Sequence, residues 1–233
     1  MQQQTLETIE QLLARARRST AAVELEVDDN GVALELLDPT LGFHHSFVGG
    51  PLARRARQSG QALVRACNNK SRNIDEVLDL TAGWGADSLT LACHGQRVTL
   101  LEQNELLFAI LEYSLQRLAM EPAGSDCAAR MQLEHMEAGE YLRRLDDARG
   151  FDCIYLDPMF PLHKSSAKPA KEMQILQALT ANVDIEACFE LALQKARKRV
   201  VVKRPAKADR LTALKPDIVY REKTIRFDVY LTA

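Results

Sequence analysis

The sequence predicts an α/β protein built on a doubly wound, mostly parallel sheet, with a C-terminal antiparallel hairpin and a small N-terminal α+β lobe. Three observations predict it. Short strand-like runs at Val77–Leu80, Val98–Leu101, Met131–Leu133, Asp152–Leu156 and Arg199–Lys203 alternate with helical patterns. A small-residue turn, Thr81 to Gly85, joins the first run to the next amphipathic segment. The final runs, Asp217–Tyr220 and Thr224–Leu231, have no helix between them, which suits an antiparallel pair at a sheet edge.

A chain of 233 residues, 46% hydrophobic and 27% charged, has the profile of an ordinary globular protein able to bury a sizeable core. We expect an N-terminal unit over residues 1–70 and the main domain over 71–233. No apolar run approaches a membrane span, and the start M-Q-Q-Q-T-L-E has no signal-peptide pattern, so the cytoplasm is the expected location. Cys67, Cys93, Cys127, Cys153 and Cys188 are scattered singly, without the close pairs of zinc or redox motifs; we expect reduced thiols and no metal. The net charge of -2 conceals an asymmetry. Lys195 to Arg226 holds twelve basic residues against three acids, whereas Glu102 to Asp152 holds eleven acids against five basic residues.

Taken in order, Thr5 to Arg18 carries Leu6, Ile9, Leu12 and Leu13 at helical spacing. Val23–Val27 and Val32–Leu37 flank Asp28-Asp29-Asn30-Gly31, a hairpin signal because Asn-Gly readily takes positive φ. Leu41 to Gly50 reads as a glycine-rich loop leading to Arg54-Arg55-Ala56-Arg57, a pattern suited either to phosphate contact or to a solvated helix face. His44 and His45 have no metal-ligand partner at a recognisable spacing and read as structural or solvent-facing.

The stretch E-V-L-D-L-T-A-G-W-G-A-D, Glu76 to Asp87, is a strand, a glycine turn and a helix start. Gly83 and Gly85 lack a Cβ, so a ligand can approach the backbone where the helix offers unpaired N–H groups. Glu102 ends the next strand, where an acid commonly takes a ribose hydroxyl pair. Ser88 stands where the dinucleotide fingerprint wants Gly or Ala, and the phosphate-binding G-x-x-x-x-G-K pattern is absent, which weakens NAD and ATP as ligands. The helix from Ser88 to His94 is expected to start on Asp87 as N-cap and stop at Gly95; a second runs from Leu106 to Leu118. His135 to Gly139 should form a loop on the carboxyl edge of the third strand.

The fourth strand runs into Asp157-Pro158-Met159-Phe160-Pro161. Two prolines stiffen this loop, leaving carbonyl acceptors, the Asp157 carboxylate and an aromatic plate, a combination that suits a planar group bearing an NH2. His163, Lys164, Lys168 and Lys171 follow in a basic segment. Met173 to Leu193 reads as one long helix, and R-V-V-V-K runs out into Arg204-Pro205.

The D-L-T-A-G-W-G-A-D turn, the acid after it, D-P-M-F-P, K-E-M at Lys171 to Met173, V-V-V-K-R-P and R-F-D-V-Y resemble class I S-adenosylmethionine-dependent methyltransferases with a Rossmann-like fold. More narrowly, the chain from about Phe47 to Tyr230 is similar to the bacterial small-subunit (16S) ribosomal RNA guanine-N2 methyltransferase J family. The resemblance implies an S-adenosylmethionine site across Asp79, Gly83, Gly85, Ala86-Asp87, Glu102-Gln103, Glu137-Ala138 and Asp157. Family members often carry Arg in place of Ala86 and a Ser pair in place of Glu137-Ala138, so side-chain roles do not carry over there. It also implies N2 methylation of an unpaired or flipped guanine in ribosomal RNA or a 30S particle. Asp157, Pro158 and Met159 would accept the amine hydrogens and Phe160 would stack on the base. Arg54, Arg55, Lys164, Lys168, Lys203 and Arg204 are the expected phosphate contacts. Adenine-N6 or protein-glutamine methylation shares the local logic, and a non-catalytic RNA-binding or assembly factor is the alternative outside enzymes.

Overall fold

The computed structural model describes residues 23–28, 31–36, 42–68, 74–146, 150–158, 171–179 and 184–232. The expected helix over Thr5 to Arg18 lies outside them. Strands β1 (Val23–Asp28), β2 (Gly31–Leu36) and β3 (Gly42–His45) form an antiparallel sheet, with Asp28 opposite Gly31 across the expected hairpin turn. Part of the segment expected to be a loop is therefore a third strand, because β2 offers it a pairing edge from Val32 to Glu35.

Along the chain, α1 (Gly50–Ala56) and α2 (Ala62–Cys67) follow β3 and precede the main sheet. The main sheet then alternates with helices. It comprises β4 (Glu76–Asp79), α3 (Ala86–Cys93), β5 (Arg97–Glu102), α4 (Glu105–Met120), α5 (Ser125–Ala128), β6 (Met131–His135) and α6 (Ala138–Arg144). There follow β7 (Cys153–Leu156), α7 (Lys171–Leu179), α8 (Ile185–Lys195), β8 (Arg199–Pro205), β9 (Ile218–Arg221) and β10 (Ile225–Leu231). The order is β6-β5-β4-β7-β8-β10-β9. Strands β4 to β8 run parallel, and the expected terminal pair closes the sheet with β10 antiparallel to both β8 and β9.

Strand alternation sends side chains to two cores. Val77, Val98, Tyr155, Val201, Phe227 and Val229 face α2 and α3, whereas Leu78, Leu101, Ile154, Leu156, Val202 and Tyr230 face α6 and α8. Ala62, Leu63, Ala66 and Cys67 of α2 join the first core, so this part of the expected 1–70 unit packs directly on the main sheet. At the amino edge, Asp152 ties three strands together. Its carboxylate accepts from the Asp75 N–H at 2.9 Å and pairs with Lys198 at 2.9 Å. Burial opposes its ionisation, but these partners hold the carboxyl below the usual range.

Two local expectations change. The helix expected from Met173 to Leu193 is two, α7 and α8: Asp184 leaves helical backbone and its side chain caps α8 by accepting from the Ala187 N–H at 3.1 Å. Asp87 is not the N-cap of α3. Gly85 holds that place at φ 69°, and Asp87 falls in the first turn. Helix α3 does stop before Gly95, which takes φ 97°.

Only glycine fits at position 85. A Cβ there would stand 2.7 Å from both Leu111 Cδ2 and Phe47 Cζ, in backbone that side chains rarely adopt. Gly85→Ala should lower unfolding free energy by about 2–4 kcal/mol from strain and overpacking together. Chemical denaturation checks this; native stability in the variant would contradict it.

Candidate active site

The strand order reverses between β4 and β7, and in open α/β sheets ligands bind outside the carboxyl ends of strands at such a point. The chain places its polar groups there. Asp79, at the end of β4, is buried and accepts from Ser88 Oγ at 2.6 Å and from the Thr81 N–H at 3.0 Å. Burial pushes its carboxyl up to about 6 despite these bonds. Thr81 Oγ1 in turn accepts the Asp157 N–H at 2.7 Å, which links the ends of β4 and β7.

Glu102 ends β5 and turns back to the glycine turn. One carboxylate oxygen accepts the Gly83 N–H at 3.2 Å and the other the Asn104 N–H at 2.8 Å. Burial raises this carboxyl to about 7. A carboxylate has about four acceptor positions, so acceptor capacity remains beyond the backbone bonds. Asn104 caps α4 through Oδ1 and donates from Nδ2 to the Leu179 carbonyl at 2.7 Å, fixing the end of α7. Leu176 of α7 lies over the turn, 3.2 Å from where a Gly83 Cβ would stand.

Beyond the turn, Lys203 Nζ lies 2.8 Å from both Asp87 Oδ2 and Asp157 Oδ2. Tyr155 donates its hydroxyl to the same Asp87 oxygen at 2.6 Å. Burial favours neutral forms of all three charged groups, yet the net result differs. Lys203 holds the Asp87 carboxyl below its usual range. For Asp157 burial wins and the carboxyl is pushed up, although Lys203 opposes this. The two acids hold the Lys203 ammonium firmly protonated. Tyr155, whose phenol burial pushes well above its usual range, remains a donor.

Asp79, Gly83, Gly85, Ala86, Asp87, Glu102 and Asp157 therefore gather at one edge. Gln103 and Ala138 stand beside it, with His135 Nε2 3.1 Å from the Gln103 carbonyl and Ala138 opening α6. The expected loop after β6 is shorter than His135–Gly139 because Glu137 caps α6. Its two oxygens accept the Gly139 and Glu140 N–H groups at 2.8 and 2.7 Å. That commits the Glu137 side chain to the helix. Pro158 is described at the end of β7; Met159, Phe160, Lys164 and Lys168 lie outside the described residues.

Of the expected phosphate contacts, Arg54 and Arg55 are exposed on α1. Lys203 and Arg204 require correction. Lys203 is engaged by two carboxylates inside the edge, and Arg204 is 7% exposed, with Nε and Nη2 donating to the Asp209 carbonyl at 3.0 and 2.6 Å. Neither presents a cation to an approaching strand. Tyr155, Thr81 and Ser88 were missed as site residues. Tyr155 sits two positions before Asp157, and strand periodicity puts both on one face, so a signal existed. His45 is buried against Trp84 and Phe47, at ring distances of 5.5 and 5.1 Å, and burial holds it neutral by lowering it to about 3. Among the described residues no acid, His or Cys cluster could hold a metal ion, and no helix is long and apolar enough to cross a membrane.

Over residues 8–232 the chain matches a family described as putative SAM-dependent methyltransferases. It is 40% identical to a ribosomal RNA small subunit methyltransferase J from Thioalkalivibrio sulfidiphilus, over 89% of this chain and 84% of the relative. The enzyme of that name from Aeromonas hydrophila is also 40% identical, over 85% and 82%. A crystal structure of a SAM-dependent methyltransferase from Neisseria gonorrhoeae shares the fold with a TM-score of 0.70 at 32% identity, covering 90% of this chain and 83% of that one. The doubly wound sheet with its glycine turn is thus that of a class I methyltransferase that uses S-adenosylmethionine as methyl donor. Within that class, the chain belongs to the ribosomal RNA small subunit methyltransferase J family.

Proposed function

We propose that the chain methylates the exocyclic N2 amine of a guanine in small-subunit ribosomal RNA, acting in the cytoplasm. The observation that carries this reading is Asp157, an acid held by Lys203 at the end of β7, level with the glycine turn and followed by Pro158. The names of the relatives supply the substrate class, and the Asp-Pro turn supplies the chemistry of a planar amine.

The edge fits S-adenosylmethionine. Gly83 and Gly85 take φ 52° and 69°, which turns the chain tightly from β4 into α3, and Glu102 keeps acceptor capacity for a ribose diol beyond its backbone bonds. Bound there, the cofactor would supply an electrophilic sulfonium methyl. Asp157 Oδ1 and the Pro158 carbonyl accept the two amine hydrogens, and sequence adds Met159 as a further acceptor and Phe160 as a stacking plate. Accepting both hydrogens draws the nitrogen lone pair out of conjugation with the ring and aims it along the transfer direction. The raised Asp157 carboxyl suits it to take the proton that the amine sheds.

Cofactor affinity should fall as pH drops through about 7, where Glu102 gains a proton and loses an acceptor. Calorimetric titration of native protein between about pH 6 and about pH 8 should show this slope. Glu102→Gln should bind weakly across the range and flatten the profile; a pH-independent native affinity would remove Glu102 from the ribose site.

The function itself is tested by transfer of labelled methyl to small-subunit particles and naked ribosomal RNA lacking the modification, followed by nucleoside analysis. Label should appear as N2-methylguanosine. Asp157→Asn should cost at least about a hundredfold in rate at saturating cofactor in protein that still folds. Label in another base would overturn the specificity, and native rates in the variant would overturn the role of Asp157.

A further inference from the structure

We propose that a groove between the segment after β8 and the β9–β10 hairpin binds the phosphodiester backbone of the RNA strand that presents the target base. This rests on the reading of the chain as an RNA methyltransferase. The groove is open to solvent, with a volume of about 790 Å³, and Lys207, Arg210, Lys215 and Arg221 are among the residues that line it. All four are exposed, and none forms an ion pair with a described residue. The exposed acid among the lining residues is Asp209. Asp228, also at the wall, is neutralised by Arg226, with Nε 2.9 Å from Oδ1. A surplus of cations over one exposed acid attracts a polyanion.

The rim is built rigidly. Arg226 is buried at the floor, and its Nη1 donates to the carbonyls of Pro205, Ala206 and Ala208 at 3.1, 3.1 and 2.7 Å. Its Nη2 and both donating nitrogens of Arg204 reach the Asp209 carbonyl. Two buried guanidiniums thus turn the carbonyls of the segment inward. With the backbone pinned, Lys207 and Arg210 are left on the solvent side, and little backbone order remains to be gained when a ligand binds.

Position relates the groove to the reaction. Leu156 pairs with Val202, which sets Asp157 level with Lys203, and Pro205 pairs with Ile225 at the same edge. From β7 to β9 is three strand spacings, roughly 14 Å. A strand whose base reaches Asp157 passes its flanking phosphates over the groove. Lys203 and Arg204, which sequence alone put in this role, are spent inside the protein, and their exposed neighbours take it over.

The test uses two charge-reversal pairs, Lys207→Glu with Arg210→Glu and Lys215→Glu with Arg221→Glu, plus the corresponding alanine pairs should reversal disturb folding. Affinity for naked small-subunit ribosomal RNA is measured from about 50 to about 200 mM salt, together with KM for RNA, cofactor affinity and thermal unfolding. Each reversal should weaken RNA binding at least about tenfold, raise KM and flatten the salt slope by about 0.7 or more per lost phosphate contact. Cofactor affinity and melting temperature should hold. If native protein methylates RNA and the folded variants bind it with unchanged affinity and slope, the groove is not an RNA site, while the proposed function stands. If the variants lose only their hold on assembled particles and not on naked RNA, the groove contacts ribosomal protein and the proposal fails. Native protein that neither binds nor methylates RNA would overturn the functional reading and the groove with it.

Discussion

The edge of this sheet depends on one ammonium group. Asp79, Asp87, Asp157 and Glu102 all converge at the carboxyl ends of β4, β5 and β7 and the start of α3, where unscreened like charges would force the elements apart or force protonation. Lys203 answers two of the four directly. Because it arises from β8 and reaches both α3 and the end of β7, it also ties α3 to these two neighbouring strands. The remaining two acids are handled differently: Asp79 by a serine hydroxyl and a backbone N–H, Glu102 by two backbone N–H groups. Burial leaves that second pair titrating near neutrality, at about 6 and about 7.

This division gives the edge two characters. Around Glu102 and Gly83 the acceptors are backbone-held and still have lone pairs to offer, which suits hydroxyl recognition. Around Asp157 the carboxylate is charge-held and a third exposed, which suits a ligand that arrives from solvent and donates hydrogens. The basic residues divide in a parallel way. Lys203, Arg204 and Arg226 are spent on internal carboxylates and carbonyls, and the exposed cations are their sequence neighbours.

Much of the fold was legible because buried parallel strands read as uninterrupted apolar runs, and because Asn-Gly and Gly-x-Gly mark turns that few other residues can make. The gathering of Gly83, Glu102 and Asp157 followed from strand order alone. Other features lay out of reach. The break between α7 and α8 turns on Asp184 acting as a cap within a continuous amphipathic pattern, and such patterns do not distinguish one helix from two. Lys203 and Arg204 read as an exposed basic run, yet adjacent strand residues face opposite sides, and here each side holds its own acceptors. Tyr155 was hidden within an apolar strand, although its spacing from Asp157 put both on the face of α3. The capping role of Glu137 was not read from its place two residues before Gly139.

The most direct test of this account is a carbon-13 NMR titration of the Asp87 and Asp157 side-chain carboxyls in native protein and in Lys203→Met. If Lys203 governs the edge, removing it moves the titration of the pair to higher pH, because two neighbouring, partly buried acids then face each other without a cation. Titration of both carboxyls at unchanged pH in a folded variant would contradict it.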